Sequence, residues 1–206
     1  SPMPRNQKTG EIPRLSWFSQ LLLSVDHDGG RYATTGTPAE FWAEWRERFD
    51  NYALQEIINH PLPDHVATKI ESVPNKIRRH ESIVTREQYG RQVTGQDRLI
   101  YALCRPERLL DLFHRFIVFD AGVKKIARYQ QYFATHKILS QVKRFEPTGN
   151  REGGVIWHTP GSGKSLTMVM LARCLALDPD ITNPSLVFVT DRVDLDKQIR
   201  DTFDAC

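Results

Sequence analysis

The last third of the chain alternates short apolar runs with longer helical patterns. Residues 154–157 (Gly-Val-Ile-Trp) and 185–189 (Ser-Leu-Val-Phe-Val) are apolar runs of strand length. Residues 164–177 form a helical stretch that is apolar nearly all round, and residues 194–203 predict a second, more polar helix. Buried parallel strands have continuous apolar runs of this kind. The order strand, loop, helix, strand, helix therefore predicts a parallel α/β sheet with crossover helices.

The middle of the chain has a clear helix start at Pro106-Glu107, because proline suits the first position of a helix. Ordered structure is expected to resume before it, at residues 99–104. Residues 117–119 (Ile-Val-Phe) follow as a short extended piece. Apolar positions over residues 123–142 recur at helical spacing and predict one long amphipathic helix.

The first part of the chain predicts a hairpin. Residues 15–25 are largely apolar, which fits a buried strand or a short buried helix, and periodicity does not decide between them. Residues 26–30 (Asp-His-Asp-Gly-Gly) form a turn pattern, and residues 31–35 are strand-like. Most of the opening dozen residues are polar and predict a loop.

A further helix is predicted from residues 37–40 (Thr-Pro-Ala-Glu), which have the sequence of a capping box. Residues 59–97 are polar and are interrupted by prolines, so they predict a connector that runs over the surface. The predicted helix would bury aromatic residues at helical spacing, namely Phe41, Trp42, Trp45 and Phe49.

Composition and charge restrict the class of protein only loosely. The 206 residues are 40% hydrophobic and 26% charged, a balance typical of globular proteins, and the net charge is +3. Basic residues cluster at residues 76–79 and 124–128. Such clusters suit a nucleic-acid partner, but a solvated helix or loop face has the same composition.

The three cysteines, Cys104, Cys174 and Cys206, follow no metal-ligand spacing and suggest no disulfide framework. No apolar run is long enough to span a bilayer, and the opening residues do not have the pattern of a signal peptide. We therefore expect a cytoplasmic protein without a membrane partner.

The strongest chemical signal is His-Thr-Pro-Gly-Ser-Gly-Lys-Ser at residues 158–165. Gly161 and Gly163 allow backbone N–H groups to face a phosphate at a helix N terminus. Lys164 is placed to reach the β- and γ-phosphates of ATP, and Ser165 to place its hydroxyl on Mg²⁺. The pattern departs from a P-loop at His158, where glycine is usual. The alternative interpretation is a glycine turn that carries Lys-Ser by chance.

These residues resemble motif I of superfamily 2 helicases, in which the first glycine is often replaced. Residues 191–198 (Asp-Arg-Val-Asp-Leu-Asp-Lys-Gln) resemble the next helicase motif, Arg-x-x-Leu-x-x-Gln. Thr190 and Arg192 stand where such motors face the DNA strand, so the resemblance implies contacts to the DNA backbone. The resemblance implies ATP and Mg as cofactors and a nucleotide site made of Thr159, Pro160, Gly161, Ser162, Gly163, Lys164 and Ser165, with Lys164 and Ser165 also catalytic.

A third helicase-like motif lies upstream. Residues 128–134 (Arg-Tyr-Gln-Gln-Tyr-Phe-Ala) resemble the segment with which such motors read adenine. The position of alanine three residues after the glutamine selects Gln131, with Gln130 as the other choice. An amide side chain suits the task because it both donates and accepts hydrogen bonds.

Residues 108–119, 153–158 and 189–195, taken together, are similar to the restriction (motor) subunit of type I restriction enzymes. The resemblance covers roughly residues 15–203. It implies an ATP-dependent translocase on double-stranded DNA that is also an endonuclease, cuts unmodified DNA away from its recognition site, and works with methyltransferase and specificity subunits.

The resemblance implies three segments: residues 1–58 as the α/β tail of a nuclease domain, 59–105 as a connector, and 106–206 as the first part of a RecA-like motor domain with a parallel sheet. An internal fragment of this kind is expected to be inactive alone. The alternatives are another superfamily 2 helicase or ATPase, a small P-loop kinase, and a regulatory module that only senses nucleotide. The small kinase is disfavoured because it leaves residues 1–150 and the Gln131 motif unexplained.

Overall fold

The computed structural model describes Gln7 and residues 13–71 and 90–206. Within them the fold is mixed α/β, with two small antiparallel sheets and helices packed around them. The strands are β1 (Leu22–Val25), β2 (Gly30–Ala33), β3 (Ile117–Asp120) and β4 (Val123–Ile126). The helices are α1 (Asn51–Ile58), α2 (Asp64–Glu71), α3 (Gly95–Cys104), α4 (Pro106–Arg115), α5 (Tyr129–Val142), α6 (Lys164–Leu177) and α7 (Val193–Ala205).

The first hairpin is confirmed. Strands β1 and β2 pair antiparallel, with Leu22 opposite Ala33. The Asp26 carboxylate accepts hydrogen bonds from the backbone N–H groups of Asp28 and Gly29, which closes the turn. Residues 15–25, for which the sequence allowed either a strand or a helix, therefore contain strand β1. A 3₁₀ turn at Pro13–Ser16 precedes it.

The helix predicted from residue 37 is wrong. Only a 3₁₀ turn, Ala39–Phe41, forms there, and no side chain caps it. The chain then extends, and Ala43 exchanges both backbone hydrogen bonds with Tyr32 of β2. Pairing with the edge of the hairpin satisfies backbone groups that a helix would have satisfied internally.

The long helix predicted over residues 123–142 is wrong in its first third. Residues 123–126 form β4, which pairs with β3 so that Ile117 lies opposite Ile126. The connecting residues Ala121 and Gly122 have φ of 49° and 78°. Positive φ at both central residues is the geometry of a tight hairpin turn that matches strand twist. Helix α5 begins only at Tyr129.

Four predicted helical or extended segments are confirmed. Helix α4 begins at Pro106, and β3 contains the expected extended piece. Helix α6 spans the predicted residues 164–177, and α7 includes the predicted residues 194–203.

The two predicted parallel strands do not form. Residues 154–157 and 185–189 are in no ladder among the described residues. Their apolar side chains are open to solvent: Val155 is 94% exposed and Val189 is 90% exposed. A parallel strand needs hydrogen-bonding neighbours and cover on both faces. The described residues supply neither, so the fold has no parallel sheet here.

Segments distant in sequence share one hydrophobic core. Tyr32 and Trp45 from the first part of the chain pack in the same cluster as Leu103 of α3 and Met170 of α6. The Arg108 guanidinium pairs with the Glu47 carboxylate at 2.9 Å and lies 5.1 Å from the centre of the Trp45 ring. These contacts join the three predicted segments, residues 1–58, 59–105 and 106–206. The boundaries between the segments remain a prediction.

Part of the predicted connector is helical. Helix α3 starts with a reciprocal capping box between Thr94 and Asp97 and buries Leu103 in the core. The basic cluster at residues 76–79 and most of the opening loop lie outside the described residues. All three cysteines are unpaired. No helix in the described ranges is long and apolar enough to cross a bilayer.

Candidate nucleotide-binding site

The loop at residues 158–163 is built around two glycines in the left-handed region. Gly161 has φ of 74° and Gly163 has φ of 80°, conformations that other residues adopt only with strain. The Ser162 N–H donates to the Thr159 carbonyl at 3.3 Å and closes a turn between them. A Cβ at Gly161 would meet no atom within 4 Å, so the backbone conformation, not lack of space, is what favours glycine there.

Helix α6 directs its N terminus into this loop. Its N-cap is Gly163, and within the described structure no side chain caps it. The hydrogen bond from Thr167 N–H to the Gly163 carbonyl is the first of the helix. The preceding N–H groups, including those of Lys164 and Ser165, therefore project from the helix end. Aligned backbone dipoles make such an end attractive to a phosphate.

Lys164 and His158 bridge the two ends of the loop. The Lys164 ammonium donates to the His158 carbonyl at 3.2 Å, and His158 Nδ1 lies 3.3 Å from Ser162 Oγ. The backbone of His158 does not have positive φ, unlike Gly161 and Gly163. A glycine is therefore not required at this position, which explains why the departure from the P-loop pattern is tolerated. Exposed Lys164 can move onto a phosphate from this position.

Ser165 is half-buried in the first turn of α6, next to Lys164. The described residues contain no group of three or more His, Cys, Asp or Glu that could hold a metal ion by themselves. A hydroxyl next to bound phosphates fits Mg²⁺, which often retains waters and takes only one or two protein ligands together with phosphate oxygens. The site therefore fits a magnesium ion that arrives with a nucleotide.

Gln131 contacts the P-loop directly. Its Nε2 donates to the Gly163 carbonyl at 3.1 Å, and its Oε1 accepts from the Arg128 N–H at 2.8 Å. The side chain is buried, at 3% exposure, whereas Gln130 is only partly buried. A Cβ at Gly163 would lie 2.7 Å from Gln131 Nε2, so a larger residue would displace this amide. The two motifs thus meet in space.

A cavity of about 350 Å³ adjoins the loop. One side is the P-loop with Gln131, and the others are β4 and residues 32–43. Its volume lies within the ~300–1,000 Å³ usual for small-molecule sites. Apolar walls with a few polar groups are the lining expected for a nucleoside.

Residues 32–43 are the part of this site that the sequence did not predict. The Tyr32 hydroxyl donates to the Ala127 carbonyl at 2.8 Å, and the Thr34 hydroxyl donates to the Lys124 carbonyl at 2.6 Å. Both contacts span more than 85 positions of sequence, and no local pattern carries such information. The helical spacing predicted Phe41 to be buried, whereas it is 58% exposed in the structure.

The predicted DNA-contacting residues lie at another place. Thr190 is partly buried, and Arg192, which is exposed, precedes α7 as its N-cap. Arg192 lies 3.9 Å from the Asp194 carboxylate, a loose ion pair. Neither Thr190 nor Arg192 lines the cavity beside the P-loop.

Behind α5, a buried carboxylate joins that helix to α4. Asp111 accepts hydrogen bonds from the Tyr132 hydroxyl and from His136 Nε2, each at 2.7 Å, and pairs with Arg115. Burial raises the pKa of Asp111, but these hydrogen bonds and the Arg115 charge outweigh burial and bring the pKa to about 2. Burial, together with the hydrogen bond to Asp111, raises the pKa of Tyr132. The network fixes the orientation of the helix that carries Gln131.

The comparison with protein families gives one match. Residues 130–206 match the model of the SWI2/SNF2 ATPase family, a range that starts at Gln130 and includes the P-loop and α7. No solved structure matches the chain. The loop, α6 and Gln131 therefore all lie in the part of the chain that is similar to these ATPases.

Among curated proteins the chain is similar to endonuclease subunits of type I restriction enzymes. It is 41% identical to the HindI subunit of Haemophilus influenzae over 111 residues, which is 51% of this chain and 10% of that protein. It is 28% identical to the putative MjaIXP subunit of Methanocaldococcus jannaschii over 200 residues, 95% of this chain and 17% of that protein. The putative MjaVIIP subunit of the same organism is 34% identical over 124 residues, 56% of this chain and 11% of that protein.

The resemblance inferred from the motifs is thereby confirmed. The chain spans between about a tenth and a sixth of the length of these relatives.

Proposed function

We propose that this chain contributes the nucleotide-gripping part of a type I restriction endonuclease subunit, an ATP-dependent motor that translocates double-stranded DNA and cuts it away from the recognition site. The observation that carries the proposal is the hydrogen bond between Gln131 and Gly163. Two motifs that resemble helicase motifs, separated by 32 positions, contact each other, as a shared nucleotide requires. The similarity to named endonuclease subunits gives independent support.

Within this proposal each loop residue has a role. The N–H groups at the start of α6 hold the phosphates, with Gly161 and Gly163 allowing the close approach. Lys164, which now donates to the His158 carbonyl, would pair with the β- and γ-phosphates of a bound nucleotide, and the Ser165 hydroxyl would be a ligand of Mg²⁺. Bound MgATP supplies the phosphoryl group whose transfer to water drives the motor. Gln131 reads adenine while it remains bonded to the loop.

The wider assembly is also part of the proposal. The relatives are named as endonuclease subunits of type I restriction enzymes, which supports a DNA substrate and assembly with other subunits. Double-stranded DNA, a methyltransferase subunit and a specificity subunit are the finer part of the proposal, and they rest on the resemblance of the motifs. Thr190 and exposed Arg192 would contact the DNA backbone, since a motor that slides over any sequence relies on phosphate contacts that weaken as salt rises.

Residues 154–157 and 185–189 do not pair among the described residues. We further propose that, in the complete subunit, these exposed apolar segments pair as parallel strands of a RecA-like sheet. The support is their apolar composition and their position immediately before the P-loop and before α7. In such a sheet, phosphates bind at the carboxyl ends of the strands, where this loop stands.

The test is the substitution Lys164→Ala in the complete enzyme. Loss of a charge-assisted contact should weaken ATP binding by about 1.5–3 kcal/mol and should abolish ATP-driven translocation and cleavage. Circular dichroism should be unchanged, because the Lys164 side chain is exposed. The matched control is Lys137→Ala, an exposed lysine on α5 that does not line the cavity, for which wild-type ATP use is expected. Wild-type ATP turnover by Lys164→Ala would overturn the proposal.

A further inference from the structure

The cavity beside the P-loop has two unlike sides. On one side are backbone groups of Gly161, Ser162 and Gly163, together with Gln131. On the other are residues 32–43, which lie outside the region that matches the ATPase family. Phosphates belong at the helix N terminus. The base and sugar attached to them must therefore extend away from the loop, and this cavity is continuous with it.

Residues 32–43 are held firmly in place. Besides the Tyr32 and Thr34 hydrogen bonds to Ala127 and Lys124, the Trp42 indole donates to the Thr37 carbonyl at 3.1 Å. Tyr32 is 1% exposed and Thr34 is 1% exposed, so both anchors are buried. A wall fixed by buried hydrogen bonds is preorganised and loses little entropy when a ligand binds.

Phe41 is a large side chain of residues 32–43 that remains exposed to solvent. It lines the cavity yet is 58% exposed, although it is flanked by the buried Trp42. Contact of an aromatic ring with water is unfavourable. A flat ligand ring that packs against Phe41 would remove this apolar surface from water. Nucleobases stack on aromatic rings whatever their hydrogen-bonding pattern, because every base has a flat π-face.

We propose that residues 32–43 form the base-binding wall of the nucleotide site, with Phe41 as the aromatic surface that contacts the adenine ring. The inference rests on the proposed function and adds to it a specificity-determining residue from the first part of the chain. Gln131 contacts the polar edge of the base from the opposite side of the cavity, while Phe41 covers its apolar face.

The experiment compares ATP with a ligand that has no base. Dissociation constants of MgATP and magnesium tripolyphosphate are measured for the complete enzyme and for its Phe41→Ala variant. We expect Phe41→Ala to weaken ATP binding about tenfold and to leave tripolyphosphate binding unchanged. Phe41→Tyr, which retains the ring, should stay within about twofold of wild type.

The matched control is Phe145→Ala. Phe145 is 62% exposed, like Phe41, but does not line the cavity, so its removal should change neither constant. Photolabelling with 8-azido-ATP gives a second readout that does not depend on a variant. Label is expected on the tryptic peptide of residues 32–46, and tripolyphosphate should compete for it more weakly than ATP.

The outcomes separate this inference from the proposed function. If Lys164→Ala weakens both ligands while Phe41→Ala changes neither and the label falls elsewhere, the base wall is wrong and the P-loop assignment stands. If ATP does not bind, or binds equally well to Lys164→Ala, the proposed function itself fails, and the base wall fails with it.

Discussion

Among the described residues, the amide of Gln131 uses half of its hydrogen-bonding capacity. Its amide makes one donated bond, to the Gly163 carbonyl, and one accepted bond, from the Arg128 N–H. A primary amide has two donor hydrogens and two acceptor lone pairs, so one of each remains. Adenine presents both a donor and an acceptor on its edge, and the remaining pair can serve it without breaking either internal bond.

We expect Gln131→Ala to act on nucleotide binding in two ways. Loss of the bond to Gly163 should weaken ATP and GTP alike, because the start of α6 is less firmly held. Loss of the bonds to adenine should weaken ATP further, by about 0.5–1.5 kcal/mol, and narrow its advantage over GTP. The measurement is the dissociation constant of each nucleotide for wild type and variant.

Two further variants make the Gln131 experiment specific. Gln131→Glu keeps an acceptor for the Arg128 N–H but loses the donor to Gly163, so it should also weaken both nucleotides. Gln130→Ala should leave the ratio of ATP to GTP affinity unchanged. A changed ratio for Gln130→Ala, with none for Gln131→Ala, would mean that the adenine-reading position is one residue earlier.

At the scale of elements, α4 and α5 are joined through Asp111, which accepts bonds from Tyr132 and His136 and pairs with Arg115 on its own helix. The side chain of Asp111 is 10% exposed, so water screens these interactions little. The Asp111 network therefore contributes to stability as well as to the orientation of α5.

The Asp111 network predicts a pH dependence of stability. The pKa of Asp111 is about 2 in the folded protein, below its ordinary value of 3.8. A lowered pKa favours the folded state fully above the unfolded pKa, and this contribution is lost as pH falls through about 2. Asp111→Asn should cost about 1–3 kcal/mol near neutral pH, and the difference from wild type should shrink below about pH 4.

The measurement is urea unfolding at several pH values. The control is Asp201→Asn, an exposed aspartate on α7, which should change the free energy of unfolding by less than about 0.5 kcal/mol at every pH. A cost for Asp111→Asn that stays constant down to pH 2 would show that the carboxylate charge is not what stabilises the network.

Elements with local signals were predictable from sequence. Pro106 fixed the start of α4, and the glycines and Lys164 fixed the start of α6. Prediction from local sequence failed where two patterns overlap. Residues 123–126 continue the helical spacing of α5, but the turn at Ala121-Gly122 allows them to pair with β3 as strand β4. Likewise, pairing with β2 prevailed over the capping-box pattern before Phe41.

At the scale of the whole molecule, the determining contacts are long-range. Tyr32 reaches Ala127, and Arg108 reaches Glu47. The P-loop itself was evident from eight consecutive residues, whereas the wall opposite it comes from a segment more than a hundred positions earlier. Such packing depends on the three-dimensional fit of buried side chains, and it produces no repeating pattern of residues in the sequence from which it could be predicted.

The last prediction is that the 206-residue chain alone does not hydrolyse ATP. Phosphoryl transfer to water needs a grip on the phosphates, a carboxylate that fixes Mg²⁺ and the attacking water, and a cation that stabilises the transition state. In the proposed function, Gly161, Gly163, Lys164 and Ser165 hold the phosphates. An arginine supplied from across a motor's cleft is worth about 10³–10⁵ in rate. We expect weak, Lys164-dependent nucleotide binding and no hydrolysis.

The measurement is phosphate release from the purified chain, with and without duplex DNA, against the Lys164→Ala variant as background. Because both proteins should adopt the same fold, any difference between them reports on the loop alone. We expect equal, background rates in all four conditions, since the grip by itself stabilises the bound nucleotide and not the transition state. Turnover that is stimulated by DNA and lost in Lys164→Ala would show that a complete hydrolytic site lies within these residues. The carboxylate that fixes Mg²⁺ would then have to be one of the aspartates that follow the P-loop in sequence, such as Asp191.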